Sequence, residues 1–381
     1  MRAMLVVSLL LTCAVAVGQD RVKGEYMPKD ALRDLRGGTH EGIIRGAEYF
    51  LLHPDKYSRA AGDALLAALG RPEGDRLLVV NALAACKEQR AVERFLEMLE
   101  KDPDKTHLMS ALGVIGDKRA LAPLLRLTRR YLDDKREVPC ELAGGVAALC
   151  ADDEASVPVL LRLTHSTDAK VRRSAAEGLG RTRSKKAIGR LGEMIAAEDK
   201  GFDAELERMV CAGALAHIGT EDATGLLLRR LRKLSERYWR VVSIKQPEES
   251  RLTDTDEELS RLYAALAATR RASALAAVIG GFDHYAQVDL RVLFNHHTAR
   301  SVLWHHLKCF ENLSGKQVMP DGFEKTVAVL ADKNYCANVF ARCLRDVRQW
   351  SDKNLHSVRE RAKGREVMLG ARRVPAFPYG D

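Results

Sequence analysis

The sequence predicts an all-α protein, an α-solenoid of about six to seven stacked antiparallel helical hairpins, and three observations carry that expectation. Small residues recur in one register: nine residues on from Ala82, Ala111, Val146, Gly178 and Ala214 stand Ala91, Ala120, Ala155, Ala187 and Ala223. Thirteen residues on stand Phe95, Leu124, Val159, Leu191 and Leu227, all apolar, and the intervals of 29, 35, 32 and 36 residues between starts match the period of helical-hairpin repeats. Six residues on stand Glu88, Asp117, Asp152, Ser184 and Thr220; the last four types readily cap a helix by accepting a backbone N–H. Each unit therefore reads as a helix end, a tight capped turn and a second helix with an inward apolar stripe, which continues in Leu99, Leu163, Ile195 and Leu231.

The elements follow in order. Met1-Arg2, the apolar run Met4 to Val17 and then Gly18-Gln19-Asp20 have the form of a secretory signal peptide over residues 1–18, with small residues at Ala14, Ala16 and Gly18 for cleavage. The run is shorter than the roughly 20 apolar residues a membrane span needs, so an exported protein is expected, in the periplasm, envelope or extracellular space. A lipid anchor at Cys13 is the minor alternative, and Thr12 fits its motif poorly. Residues 19–42 are polar and expected to form a short arm. Residues 43–237 hold the repeats, opened by an atypical capping hairpin from Ile43–Leu52 and Ala60–Leu69. Residues 238–260 read as a charged insertion leading into a helix. Residues 261–362 read as degenerate helical repeats, with a sixth unit at Ala265, Leu266, Ala274 and Val278 and a helix end near Cys309 to Gly315. Residues 363–381 lack helical periodicity and are expected as a flexible tail or strap.

The run Ala111-Leu112-Gly113-Val114-Ile115-Gly116-Asp117-Lys118-Arg119-Ala120-Leu121-Ala122-Pro123-Leu124-Leu125-Arg126-Leu127 resembles the short bacterial HEAT repeat, also called phycobilisome-lyase-like, and so does Ala214 to Leu231. The resemblance implies a curved solenoid that holds a protein, a nucleic acid or a small ligand in its groove. Two enzyme families of this kind do not carry over. The several His-Glu pairs of deoxyhypusine hydroxylase are reduced here to His40-Glu41, outside the repeats, and no motif matches the HEAT-type alkylpurine DNA glycosylases.

The formal charge is +9, which raises the question of a nucleic-acid groove. Positions fifteen past each start are Glu97, Arg126, Leu161, Glu193 and Arg229, whose signs alternate, whereas a phosphate-tracking surface needs like charge in successive units. Nucleic acid is therefore disfavoured, and an acidic polymer or anionic membrane surface is the more compatible anionic target. Arg126, Arg229, Arg230, Arg232 and Lys233 are the candidate binding residues on the second helices. Removal of the signal takes Cys13 with it and leaves seven of the eight cysteines, an odd number. Cys86 and Cys150 share the repeat position of Ile115 and Ile218 and read as small core hydrophobes. His296-His297 and His305-His306, beside Trp304, lack the i, i+4 spacing of a helical metal pair and read as surface or capping residues. No nucleophile elbow, phosphate loop or HExxH run is present, so no catalytic residue, metal or cofactor is expected. The expected function is an exported, non-enzymatic scaffold that binds a protein partner through its concave second-helix surface. Two alternatives are an enzyme or ligand- or metal-binding module centred on the C-terminal third, and a basic binder of nucleic acid or anionic polymer. Oligomeric state is not set by the sequence.

Overall fold

The computed structural model describes residues 26–71, 76–199, 201–242, 249–287, 290, 297–320 and 333–365. The signal, the start of the arm, the tail beyond Arg365 and His296 lie outside these residues. The regular structure is helical, with no strand among the described residues. The chain divides between Thr182 and Arg183 into two compact units.

The first unit holds α1 (Pro28–Gly37), α2 (His40–Leu52), α3 (Arg59–Leu69), α4 (Arg76–Ala85), α5 (Ala91–Lys101), α6 (Thr106–Ile115), α7 (Leu121–Asp133), α8 (Cys140–Leu149), α9 (Val157–Leu163) and α10 (Ala169–Thr182). Helices α2, α4, α6, α8 and α10 lie side by side as one layer, and the returning α5, α7 and α9 each pack on the first helix of the next pair. That is an α-solenoid. Its first-helix layer is tightest at two glycines: a Cβ on Gly113 would stand 2.8 Å from the Gly145 Cα, and one on Gly145 would stand 2.7 Å from the Met109 carbonyl. Neighbouring first helices thus approach closely where these glycines meet.

The turns between paired helices share one backbone form. Lys87 (φ 52°), Gly116 (81°), Asp152 (57°), Arg183 (54°), Gly219 (64°) and Arg270 (55°) all take the left-handed conformation that closes a helix C-terminus. The following residue then caps the next turn. Oxygens of Glu88, Asp117 and Ser184 accept the backbone N–H two residues on, at 3.0, 2.9 and 3.3 Å, and Thr220 accepts that of Ala223 at 3.2 Å. In the first unit arginines stitch neighbouring turns: Arg90 reaches Asp63 at 2.6 Å, and Arg119 reaches Glu93 at 2.9 Å and the Gln89 carbonyl at 3.1 Å. Hydrogen bonds from Arg90, more than any other cause, hold the Glu88 carboxyl down at about 2.

One repeat departs from the expected register. After Val146 the left-handed residue comes six positions on, at Asp152, where the other turns place it five on. The turn therefore holds one extra residue. First-helix positions are unaffected, and Val146, Ala147 and Cys150 are buried as Ala111, Leu112 and Ile115 are. Second-helix positions move on by one: Asp153 replaces Asp152 as the capping position and accepts the Ser156 hydroxyl, and Ser156 replaces Ala155 as the small buried residue. Leu160 then stands where Leu124 and Leu191 stand. Ala155 is exposed, while Ala91, Ala120, Ala187 and Ala223 are fully buried.

The polar segment expected as an arm carries a helix. Ala31 and Leu35, one turn apart on α1, are buried against α2, where Gly46 leaves room for the Leu35 side chain.

The second unit holds α11 (Ile188–Ala196), α12 (Phe202–Ile218), α13 (Glu221–Val242), α14 (Glu249–Thr269), α15 (Ala272–Gly281), α16 (His297–Ser314) and α17 (Lys333–Lys363). Helices α12, α14 and α16 lie side by side, α13 packs on α14, and α17 runs along α15. Leu266, Ala274 and Val278 of the sixth repeat are fully buried. Arg271 occupies its cap position and donates Nε and Nη2 to the Gly219 carbonyl at 3.0 and 2.6 Å, joining two successive turns. The segment expected as a charged insertion is partly helix and partly interior: α13 continues through Tyr238 to Val242, α14 begins at Glu249, and Asp256 and Glu258 are buried.

Candidate functional site

The five candidate basic residues separate into two kinds. Arg126 on α7, in the first unit, and Arg229 and Arg232 on α13, in the second, are exposed and make no hydrogen bond or ion pair among the described residues. Helical spacing explains this, because the apolar stripe of α13 runs through Leu227, Leu231 and Leu234 and leaves Arg229 and Arg232 on the far side. Arg230 and Lys233 are engaged internally. Arg230 is only 5% exposed; it donates Nε and Nη2 to the two Glu258 oxygens at 2.7 and 3.1 Å, and Nη1 to Glu198 at 3.1 Å. Arg208 of α12 adds its Nε to Glu258 at 3.2 Å, so one buried carboxylate joins α12, α13 and α14. Arg230 is a structural residue, not a surface one, because burying a guanidinium requires carboxylate partners and here both are supplied.

Lys233 lies on exposed surface, but its Nζ is 2.5 Å from Glu198, whose other oxygen is 2.6 Å from Arg237. Hydrogen bonding by Lys233 first, with Arg237 and the charge of Arg230, holds the Glu198 carboxyl at about 2. A charge already neutralised in this way offers little to an anionic ligand. Of the five candidates, the free ones are therefore Arg126 in one unit and Arg229 with Arg232 in the other.

The histidine pair also resolves into two roles. His305 Nδ1 meets the Ser301 carbonyl of the preceding turn at 2.8 Å. His306 is fully buried between Tyr263, with ring centroids 4.3 Å apart, and Phe282, at 3.8 Å, and its Nε2 is 2.7 Å from the Val278 carbonyl. That contact fixes the proton on Nε2 and leaves Nδ1 without a partner. Burial drives its pKa down to about 3. His306 is a neutral ring in an aromatic core, contrary to the surface or capping role read from its spacing. Among the described residues no group of three or more His, Cys, Asp and Glu side chains stands close enough to hold a metal ion. The seven described cysteines are unpaired; Cys150 is buried with its thiol toward the Ala147 and Gly178 carbonyls, and burial raises it to about 12.

Residues 158–245, from α9 to the end of α13, match the family of HEAT repeats. That segment carries HEAT repeats. No curated protein matches it in sequence. Among solved structures, this chain is similar to the complex of CpcE and CpcF of phycocyanin lyase from Nostoc sp. PCC7120. The identity is 19%, the match covers 65% of this chain and 99% of that one, and the TM-score is 0.40. It is also similar to an engineered protein, at 15% identity, 84% and 99% coverage and a TM-score of 0.38. HEAT repeats commonly mediate protein–protein interaction, which makes an interaction scaffold the general reading of this fold.

Proposed function

We propose that this chain is an exported, non-catalytic HEAT-repeat scaffold that holds a protein partner against the exposed faces of its second helices. The observation that supports it most directly is the unpaired state of Arg126, Arg229 and Arg232 on those faces, beside neighbours whose charges are consumed internally. A guanidinium held on a rigid helix with no internal carboxylate is pre-organised for a bidentate contact with an acidic partner side chain. Export is supported by the apolar run Met4 to Val17 and the small residues after it.

Two experiments test this reading. Expression with a C-terminal tag should yield a mature chain whose N-terminal sequence begins near Gln19; an intact Met1 in the cell interior would remove export. Affinity capture from envelope extract should recover a partner whose retention falls at least tenfold with Arg229→Glu/Arg232→Glu. Retention unchanged by those substitutions and by Arg126→Glu would remove the second-helix face as the binding surface.

A further inference from the structure

The second unit contains a cleft of about 700 Å³ between α17 and the segment formed by the end of α15 and the turn at Phe282 to Tyr285. Its floor is apolar, built from Ile279, Phe282, Tyr285, Leu344, Val347 and Leu355. Along one face of α17 the residues at the cleft recur at helical spacing, and Arg345, Arg348, Asp352 and Arg359 form its charged rim. All four are exposed, and none makes a hydrogen bond or ion pair among the described residues. Arg345 and Arg359 are 14 residues apart, about 21 Å along the helix at 1.5 Å per residue. Such a cleft is long, has guanidinium groups at both ends, a carboxylate between them and an apolar bed.

We propose that this cleft binds an acidic peptide segment of a partner protein, extended and six or seven residues long, with carboxylates at its two ends on Arg345/Arg348 and on Arg359 and apolar side chains on the floor. The length follows from the separation, since an extended chain advances about 3.3 Å per residue. Asp352, joined by Asp283 from the opposite wall, sets the polarity of the middle: a basic residue there is matched and a continuous acidic run is repelled. The same two carboxylates argue against a nucleic-acid strand, whose evenly spaced phosphates would meet them. The cleft shares no residue with the free arginines of the second-helix face, so it stands or falls separately from that face.

The test is fluorescence anisotropy with the labelled peptide Glu-Leu-Val-Lys-Phe-Leu-Glu and the full-length chain. Saturable binding is expected, weakened at least tenfold by Arg345→Glu/Arg348→Glu and by reversing every charge in the peptide. Arg229→Glu/Arg232→Glu, an equal charge change away from the cleft, should leave affinity within twofold, as should the single reversal Arg342→Glu on an exposed residue of α17 outside the cleft. Circular dichroism melts confirm that each variant is folded. Absence of saturable binding, an equal loss in the Arg342 variant, equal binding of the reversed peptide, or tighter binding of single-stranded DNA would each overturn the assignment.

Discussion

The two units of this chain solve the same packing problem with different materials. In the unit ending at Thr182 the core is mostly aliphatic with Phe50 and Phe95 fully buried, the helices are short, and Glu88 is the one buried charged side chain among the described residues, while Arg90 and Arg119 tie one turn to the next. In the unit from Arg183 onward, α13 and α14 run to 22 and 21 residues, well beyond the ten of α4, α6 and α8. The buried stripe of α13 runs on with that length, from Leu227 through Leu231 and Leu234 to Tyr238. Beside its aliphatic side chains the interior of this unit holds an ion network of Arg208, Arg230 and Glu258 and a stack of Tyr263, His306 and Phe282. Charges and rings that reach across helices thus share the interior of the longer-helix unit with its aliphatic stripe.

The strongest way to break this comparison is to remove the buried carboxylate. Glu258→Ala leaves the buried Arg208 with no carboxylate and the buried Arg230 with Glu198 alone, and removing one partner of a buried ion pair costs about 3–5 kcal/mol. All three tryptophans, Trp239, Trp304 and Trp350, lie in the second unit, so their fluorescence follows its unfolding alone. The midpoint in urea should fall sharply, and Arg208→Met/Arg230→Met/Glu258→Leu should recover most of the loss. Arg119→Ala, which removes an exposed stitch in the first unit, should leave the circular dichroism melt unmoved. Equal effects of the two single variants would erase the distinction between the units.

The fully buried His306 gives the second unit a pH dependence of its own. His306 is depressed to about 3 in the fold, against an ordinary value near 6.5. Above that ordinary value neither state carries the proton, and stability from this group is constant. As pH falls below it, the unfolded chain takes up a proton the folded one refuses, and stability is lost at about 1.4 kcal/mol per pH unit until the folded value is reached. Glu88 and Glu198, held near 2, lose their contribution in the same direction but only below their ordinary value of 4.5. His107 in the first unit is lowered by burial as well, so urea titrations between pH 6.5 and 4.5 report on His306 when they are followed by the tryptophans, which all lie in the second unit. A flat profile there, or one that His306→Leu does not flatten, would show that the ring is not the source.

The register shift at the third repeat sharpens the comparison within the regular unit and shows what a sequence can carry. Ala187 is fully buried and Ala155 is exposed, although counting from the repeat starts makes them equivalent. Ala187→Leu should cost about 1–3 kcal/mol by overpacking, and so should Ser156→Leu, while Ala155→Leu should stay within about 0.5 kcal/mol. The ambiguity arises because Asp152-Asp153 offers two capping residues and Ala155-Ser156 two small ones, so either alignment satisfies the local chemistry. Only the backbone, with Asp152 in the left-handed region, separates them. The solenoid itself was legible because each hairpin repeats local rules of capping and helical spacing. The burial of Arg230 was not, since it depends on Glu258, 28 residues on and beyond the α13–α14 connection. The α17 cleft was not legible either: it forms where α17 meets α15, whose residues lie more than 50 positions apart and obey no common period.

The smallest expected effect concerns the turns that both units share. Gly116 and Gly219 adopt the left-handed conformation without steric cost, whereas Lys87 adopts it with a Cβ that opposes the neighbouring carbonyl, at about 1–2 kcal/mol. Replacing Lys87 with glycine removes that strain and adds backbone freedom to the unfolded chain, worth about 0.5–1 kcal/mol in the opposite sense, so a net gain of about 0.5–1 kcal/mol remains. The Lys87 side chain is exposed, so little else changes. Asp152→Gly should gain less, because aspartate tolerates the left-handed region better than lysine does. Gly116→Ala should lose about 1 kcal/mol, the mirror of the Lys87 gain. Thermal melts followed at 222 nm should therefore order the variants as Lys87→Gly above Asp152→Gly above the unaltered chain above Gly116→Ala. If Lys87→Gly lowered the midpoint instead, the turn would owe its form to side-chain contacts and not to the backbone preference that makes all six turns alike.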